Sequence, residues 1–235
     1  MARDAKPADL DGDDVARALD RDGYALTPRP LIDDATSREL RDGFDDDDRF
    51  RSTVDMAPRR YGQGTYRYYR YPLPPVVAAL REATYPLLAG VANAWAARLG
   101  GDPVPPTLGA FLDRCHAAGQ DRPTPLVLRY GPGDWNALHQ DIYGEVAFPL
   151  QLAIALTAPG EDFTGGENLL VEQRPRAQSR GIAVTVPQGH GLVFPNRYRP
   201  QRGARGDHRL NVRHGVSTVR SGERLTLGII YHDAR

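Results

Sequence analysis

The chain has 235 residues, and 30 Lys and Arg balance 30 Asp and Glu, so its formal net charge is zero. With 40% hydrophobic and 26% charged residues it has the composition of a soluble globular protein, long enough for a real core and for one or two domains. The longest charge-free runs, 83–97 and 146–160, have 15 residues each and contain proline; the N-terminus leads into acidic residues; and Cys115 is the single cysteine, so no membrane span, secretory signal, internal disulfide or Cys-rich zinc site is expected, and the cytoplasm is the expected location.

Residues 13–22 read as a short helix ended at Gly23, and Tyr24 to Thr27 as a strand stopped by Pro28. Asp33-Asp34-Ala35-Thr36 reads as a helix start, with acids at the positive end of the dipole. Asp45 to Asp48 is expected to be a solvated charge run. Residues 76–99 carry the longest helical pattern, which Pro86 is expected to kink or divide. After about residue 105, short β-rich runs alternate with Gly and Pro turns, and strands are expected at 126–130, 147–156, 168–172, 182–186, 191–194, 209–218 and 224–231. The predicted class is α+β: a helical support region over 1–105 packed on a β-barrel core over 106–235, the two forming one structural unit.

Zero net charge hides a gradient. Residues 1–60 hold 16 acids and 11 bases, whereas 174–213 hold nine arginines and one acid, Asp207. Such an excess is a candidate phosphate-binding surface, or a solvated loop in an arginine-rich chain with 29 Arg and only Lys6. A second arginine-rich stretch, 59–71, holds four arginines, five of the eleven tyrosines and no acid. Tyr61, Tyr66 and Tyr68 are candidates to stack on bases, with Arg59 and Arg67 neutralising phosphate; the alternative is a hairpin whose alternate tyrosines face the core.

The sharpest local feature is Leu138-His139-Gln140-Asp141. In a strand, residues i and i+2 share a face, so His139 and Asp141 can offer an imidazole and a carboxylate to one ion. A third ligand would complete the facial triad of two histidines and a carboxylate that suits Fe(II). On its own, H-x-D recurs by chance. The C-terminal segment strengthens it: His214 lies on one predicted strand, a turn follows at 220–223, and 224–231 returns with Arg224, Thr226 and Gly228 on one face and Leu225, Leu227, Ile229 and Tyr231 on the other. An arginine inside a barrel requires an anion, and a small dicarboxylate supplies one through a bidentate pair.

The series His139-x-Asp141, His214 and, ten residues on, Arg224 resembles the Fe(II)/2-oxoglutarate oxygenases. That resemblance implies a double-stranded β-helix core, a jelly-roll of cupin-like form. It also implies iron on His139, Asp141 and His214, 2-oxoglutarate on Arg224 with Thr226 nearby, and O2 as the second cosubstrate. Phe163-Thr164-Gly165-Gly166-Glu167 and Gly189-His190-Gly191-Leu192-Val193-Phe194 resemble the prolyl-hydroxylase-like branch. Arg129-Tyr130-Gly131-Pro132-Gly133 followed by Leu138-His139-Gln140-Asp141 resembles AlkB-type nucleic-acid dealkylases, which implies a 2-oxoglutarate contact for Tyr130. Their longer C-terminal arginine motif is absent. Over about 15–235 the chain also resembles a bacterial group of these oxygenases proposed to demethylate damaged bases. His116, His190, His208 and His232 lack an arginine ten residues on within a strand, so His214 is preferred as the third ligand.

The expected activity is therefore a dioxygenase acting on an alkylated nucleic-acid base, single-stranded or flipped out. The alternatives are a hydroxylase of protein or peptide side chains such as proline, and a non-catalytic cupin-like binding module.

Overall fold

The computed structural model describes residues 10–174, 176–204 and 206–235. Lys6 and Arg205 lie outside the described residues. In chain order the elements are helix α1 (Gly12–Asp22), β1 (Ala25–Leu26), α2 (Asp34–Asp42), β2 (Phe50–Asp55), β3 (Gly62–Gln63), β4 (Thr65–Tyr69), α3 (Pro75–Leu99) and α4 (Leu108–Ala117). There follow β5 (Leu126–Tyr130), β6 (Trp135–His139), β7 (Leu150–Ala155), β8 (Phe163–Gly165), β9 (Asn168–Gln173), β10 (Arg180–Val184), β11 (Gly191–Pro195), β12 (Tyr198–Gly203), β13 (Gly206–Val216), β14 (Val219–Gly222) and β15 (Arg224–Ile230).

Two antiparallel sheets form the jelly-roll. The larger has the order β1-β11-β7-β15-β5-β4-β2, and the second runs β10-β9-β13-β6-β3 with β12 paired to β13. β8 and β14 form a separate pair. Three strands of the larger sheet, β1, β2 and β4, come from the first 105 residues, so that region is not only helical; conversely, helix α4 lies beyond residue 105. The larger sheet turns one face to the helices. Leu225, Leu227, Ile229 and Tyr231 pack there with Leu80, Tyr85, Leu88 and Trp95 of α3 in the main core, and the other face of β15 looks into the cavity between the sheets.

The helix ends follow their caps. Asp11 accepts from the Asp13 N–H at the start of α1, and Asp33 accepts from the Thr36 N–H at the start of α2. Gly23 ends α1 in the left-handed conformation. Pro86 does not divide α3, which runs unbroken from Pro75 to Leu99. Burial of Val77, Leu80, Tyr85, Leu88, Val91 and Trp95 along its inner side outweighs one lost backbone bond. α4 was not expected. Its signal is nevertheless present: Thr107 caps the helix through the Ala110 N–H, and Leu108, Phe111, Leu112 and Cys115 recur at helical spacing.

Asp45 to Asp48 are all exposed, as expected, but the run is not without partners. Asp47 pairs with Arg67, and Asp45 pairs with Arg129 at 3.0 Å. The 59–71 segment is not one hairpin either: β3 pairs with β6 in one sheet, and β4 lies between β2 and β5 in the other. Among the described residues, no helix is long and apolar enough to cross a membrane.

Candidate active site

His139 ends β6, and His214 lies directly opposite it on β13. The register between these strands shifts: His214 faces His139, but Val216 faces Asn136, so β6 carries one extra residue. That bulge allows Asn136 and His139, three residues apart, both to line the cavity. Asp141 is not in the strand but two residues past its last position. The exit is anchored by Gln140, whose amide donates to the Arg197 and Val212 carbonyls at 3.0 and 2.9 Å. The carboxylate thereby reaches the same point as the two imidazoles by a loop rather than by strand alternation.

One ligand atom from each of His139, Asp141 and His214 lies within 4.8 Å of the others. Asp141 Oδ2 is 3.0 Å from His214 Nε2, and Asp141 Oδ1 is 3.4 Å from His139 Nε2. His139 Nδ1 donates to the Ala137 carbonyl at 2.7 Å, which leaves Nε2 with its lone pair toward the cavity. His214 Nδ1 has no such partner among the described residues; the ring is placed by the Phe194 ring at 4.9 Å and by its Nε2, which meets Asp141 and lies 3.2 Å from Gln151 Nε2. Burial works against the Asp141 carboxylate, but His214 and His139 together hold its pKa well below the usual range, so it is an anion. Burial lowers His214, whereas for His139 the hydrogen bond and charge of Asp141 overcome burial and raise it. Two imidazole lone pairs and one carboxylate, with the remaining directions open to the cavity, fit Fe(II).

The cavity has a volume of about 430 Å³, and Arg224, Thr226 and Gly228 face it from β15. Arg224 is buried, and burial lowers its pKa. It donates to Asn168 Oδ1 at 2.9 Å and lies 5.4 Å from the Tyr130 ring, but it has no carboxylate partner among the described residues. A buried guanidinium facing a cavity without an anion fits a carboxylate ligand. Gly166 makes room for this arginine, since a Cβ there would come within 2.8 Å of Arg224 Cδ. Tyr130 is buried beside Arg224, and its hydroxyl accepts from Asn136 at 3.2 Å.

The substrate-side candidates divide. Tyr61, Tyr66 and Tyr68 line the cavity, whereas Arg59 is exposed without lining it. Arg67 does not belong to this group. β4 alternates, so with Tyr66 and Tyr68 turned toward the cavity, Arg67 turns the other way, is buried over the Phe50 ring and pairs with Asp47. Arg60, which lines the cavity, was not singled out. Asn136, Gln151, Asn168 and Tyr143 were also missed; single amides and a lone tyrosine carry no spacing signal.

The arginine-rich 174–213 stretch is partly neutralised from outside its own limits. Glu172 pairs with buried Arg199 at 2.6 Å and lies 3.7 and 3.8 Å from Arg180 and Arg174. Arg197 and Arg213 are exposed and make no ion pair among the described residues. The competing histidines stay outside the triad. His116 contacts Asp233, His190 contacts the Thr27 carbonyl, His208 is exposed, and His232 is buried and accepts from the Phe148 N–H.

A family model described as "Oxygenase, catalysing oxidative methylation of damaged DNA" matches residues 64–234. The chain belongs to this oxygenase family. An uncharacterised protein of Mycobacterium tuberculosis is 58% identical over 164 residues, which cover 69% of this chain and 70% of that protein. Among solved structures, an oxidoreductase of the 2OG-Fe(II) oxygenase family from Burkholderia pseudomallei is 16% identical, covers 96% of this chain and 93% of its own, and superposes with a TM-score of 0.56. A Pseudomonas putida prolyl-4-hydroxylase is 14% identical, covers 94% and 97%, and has a TM-score of 0.53. These likenesses establish the fold. The enzyme is an oxygenase on the fold of the 2-oxoglutarate/Fe(II) oxygenases, and its His-Asp-His triad fits Fe(II).

Proposed function

We propose that this oxygenase removes alkyl groups from nucleic-acid bases by oxidation. The observation that carries the reading is the joint arrangement, in one cavity, of the triad, the tyrosine-lined wall and a buried Arg224 with no carboxylate partner among the described residues. His139, Asp141 and His214 would hold iron, and Arg224, with Thr226 and Tyr130 beside it, would hold the far carboxylate of 2-oxoglutarate. Iron held there with 2-oxoglutarate and O2 would supply the oxidising power to hydroxylate a substrate C–H bond, with 2-oxoglutarate going to succinate and CO2.

The remaining work belongs to the chain. Tyr61 and Tyr66 offer aromatic faces for an extruded base, and the exposed Arg59 and Arg60 beside them would neutralise phosphate. Leu126, Leu128 and Phe194 keep the cavity wall apolar and limit water. On an N-methyl group, hydroxylation yields a hemiaminal, which loses formaldehyde and returns the N–H. We therefore read the activity in the direction of methyl removal. The family description supports nucleic acid over other substrates.

The test is a coupled assay with Fe(II), 2-oxoglutarate and O2 over N-methylated single-stranded oligonucleotides and proline-containing peptides. Formaldehyde and succinate released together from the methylated oligonucleotide are expected. Succinate release driven by peptide alone would replace this reading with a side-chain hydroxylase.

A further inference from the structure

A metal-binding carboxylate has two oxygens and a soft torsion, so something must decide which oxygen it offers. Asp141 lies on a loop, where the backbone does little to fix that torsion. The phenol of Tyr143, two residues on, donates to Asp141 Oδ1 at 2.7 Å. Tyr68 on β4 in turn donates to the Tyr143 oxygen at 3.1 Å. The direction of this chain is set by chemistry. An ionised carboxylate only accepts, so the single Tyr143 proton is committed to Asp141, and the Tyr143 oxygen is left to accept from Tyr68. Packing holds both rings: Tyr68 meets Tyr143 edge-on at 6.2 Å and carries the Arg51 guanidinium at 4.6 Å, and Tyr143 lies 5.7 Å from the His232 ring.

We propose that Tyr143 is the positioning residue of the metal centre. It ties down Oδ1 of Asp141 so that Oδ2 is the oxygen presented to the ion, and Tyr68 fixes Tyr143. Hydrogen-bonded partners of this kind orient ligands and tune their affinity. The device also links the cavity's tyrosine wall to the metal centre, because Tyr68 packs edge-on against Tyr66 at 5.4 Å on the same face of β4. A group that pushes on Tyr66 would be felt at Asp141 through two hydrogen bonds. This inference rests on the reading of His139, Asp141 and His214 as metal ligands.

The experiment titrates Co(II), as a coloured probe for Fe(II), into wild type and Tyr143→Phe, Tyr68→Phe and Asp141→Ala, following affinity and the visible absorption of the bound ion, with melting of each metal-free protein alongside. Tyr143→Phe keeps the ring and removes one hydroxyl. It should weaken Co(II) binding by about 10–100-fold and change the shape of the visible band, while the metal-free protein melts within a few degrees of wild type. Tyr68→Phe should weaken binding in the same direction but less. Wild-type affinity and band shape in Tyr143→Phe, together with loss of Co(II) in Asp141→Ala, would overturn the proposal and leave the triad standing. If Tyr143→Phe fails to fold, wild-type affinity in Tyr68→Phe would count against it equally. Wild-type affinity in Asp141→Ala would instead overturn the triad reading beneath it.

Discussion

Asp141 is the only carboxylate in the candidate triad, and its negative charge is maintained by the two imidazoles beside it. Replacing it with alanine removes one of three ligands and leaves two neutral histidines, so Fe(II) affinity should be largely lost while the far-ultraviolet circular dichroism of the barrel is retained. Arg224→Lys keeps the charge but loses the planar fork, and a lysine amine cannot reproduce a bidentate carboxylate contact. The 2-oxoglutarate requirement, measured by succinate release, should rise at least about tenfold, or about 1.4 kcal/mol. An unchanged requirement would assign the carboxylate to another base. Behind the metal centre, where its ring packs on Tyr143, His232 gives a pH prediction. Burial is the largest cause lowering its pKa, which falls from the ordinary 6.5 to about 4, and its Nδ1 accepts from the Phe148 N–H, which only an unprotonated nitrogen can do. Below pH 6.5 the unfolded chain takes up a proton that the folded chain refuses, so stability falls as pH drops from about 6.5 to about 4. The loss is on the order of 3 kcal/mol. Denaturant midpoints of wild type and His232→Gln between pH 7 and 4 should show a steeper acid loss in wild type.

At the scale of elements, the turn from β14 to β15 is the most exacting piece of backbone near the site. Gly222 has φ of 74°, and a Cβ there would fall 1.9 Å from the Asp162 carbonyl oxygen. Gly222→Ala should cost at least about 1 kcal/mol. It should also weaken 2-oxoglutarate binding, since Arg224 is two residues away; a melting curve and a 2-oxoglutarate titration read the two effects separately. This turn, the alternation of β15 and the divergent faces of its residues were all legible in the sequence, because period-2 alternation across a strand needs only local information. The cavity-facing group Arg224, Thr226 and Gly228 was legible for the same reason. The position of Asp141 was read by a strand argument that does not apply, since the strand ends at His139 and the loop delivers the carboxylate. The β6 bulge was invisible, being a property of pairing with β13 and not of either strand alone. Arg67 was misread because composition placed it among tyrosines, while the parity of β4 decided which way it pointed. Helix α4 was overlooked for a different reason: the Gly and Pro turns after residue 105 obscured its apolar spacing and its Thr107 cap.

For the whole molecule, zero net charge coexists with an uneven surface. Glu172 accounts for one part of the arginine excess, but Arg59, Arg60, Arg197 and Arg213 are exposed and make no ion pair among the described residues. If a phosphate backbone crosses this surface, binding of a short single-stranded oligonucleotide should weaken steeply as salt rises, through counterion release. An Arg59→Ala/Arg60→Ala double variant should bind more weakly at low salt and show a shallower salt slope. Tyr61→Ala should lose roughly 1–3 kcal/mol of affinity with little change in slope, because stacking is less sensitive to salt. These outcomes separate charge from stacking at the cavity mouth.

If the triad and Arg224 hold iron and 2-oxoglutarate together in a single cavity, the two ligands meet there. A keto acid chelated to Fe(II) gives a visible charge-transfer band that neither partner gives alone. The direct measurement is anaerobic titration of 2-oxoglutarate into the Fe(II)-loaded protein, followed by visible absorption. The band should grow to one equivalent in wild type, be absent in Asp141→Ala, and require at least about tenfold more 2-oxoglutarate in Arg224→Lys. Fe(II) and 2-oxoglutarate that both bind to wild type without producing the band would contradict the account.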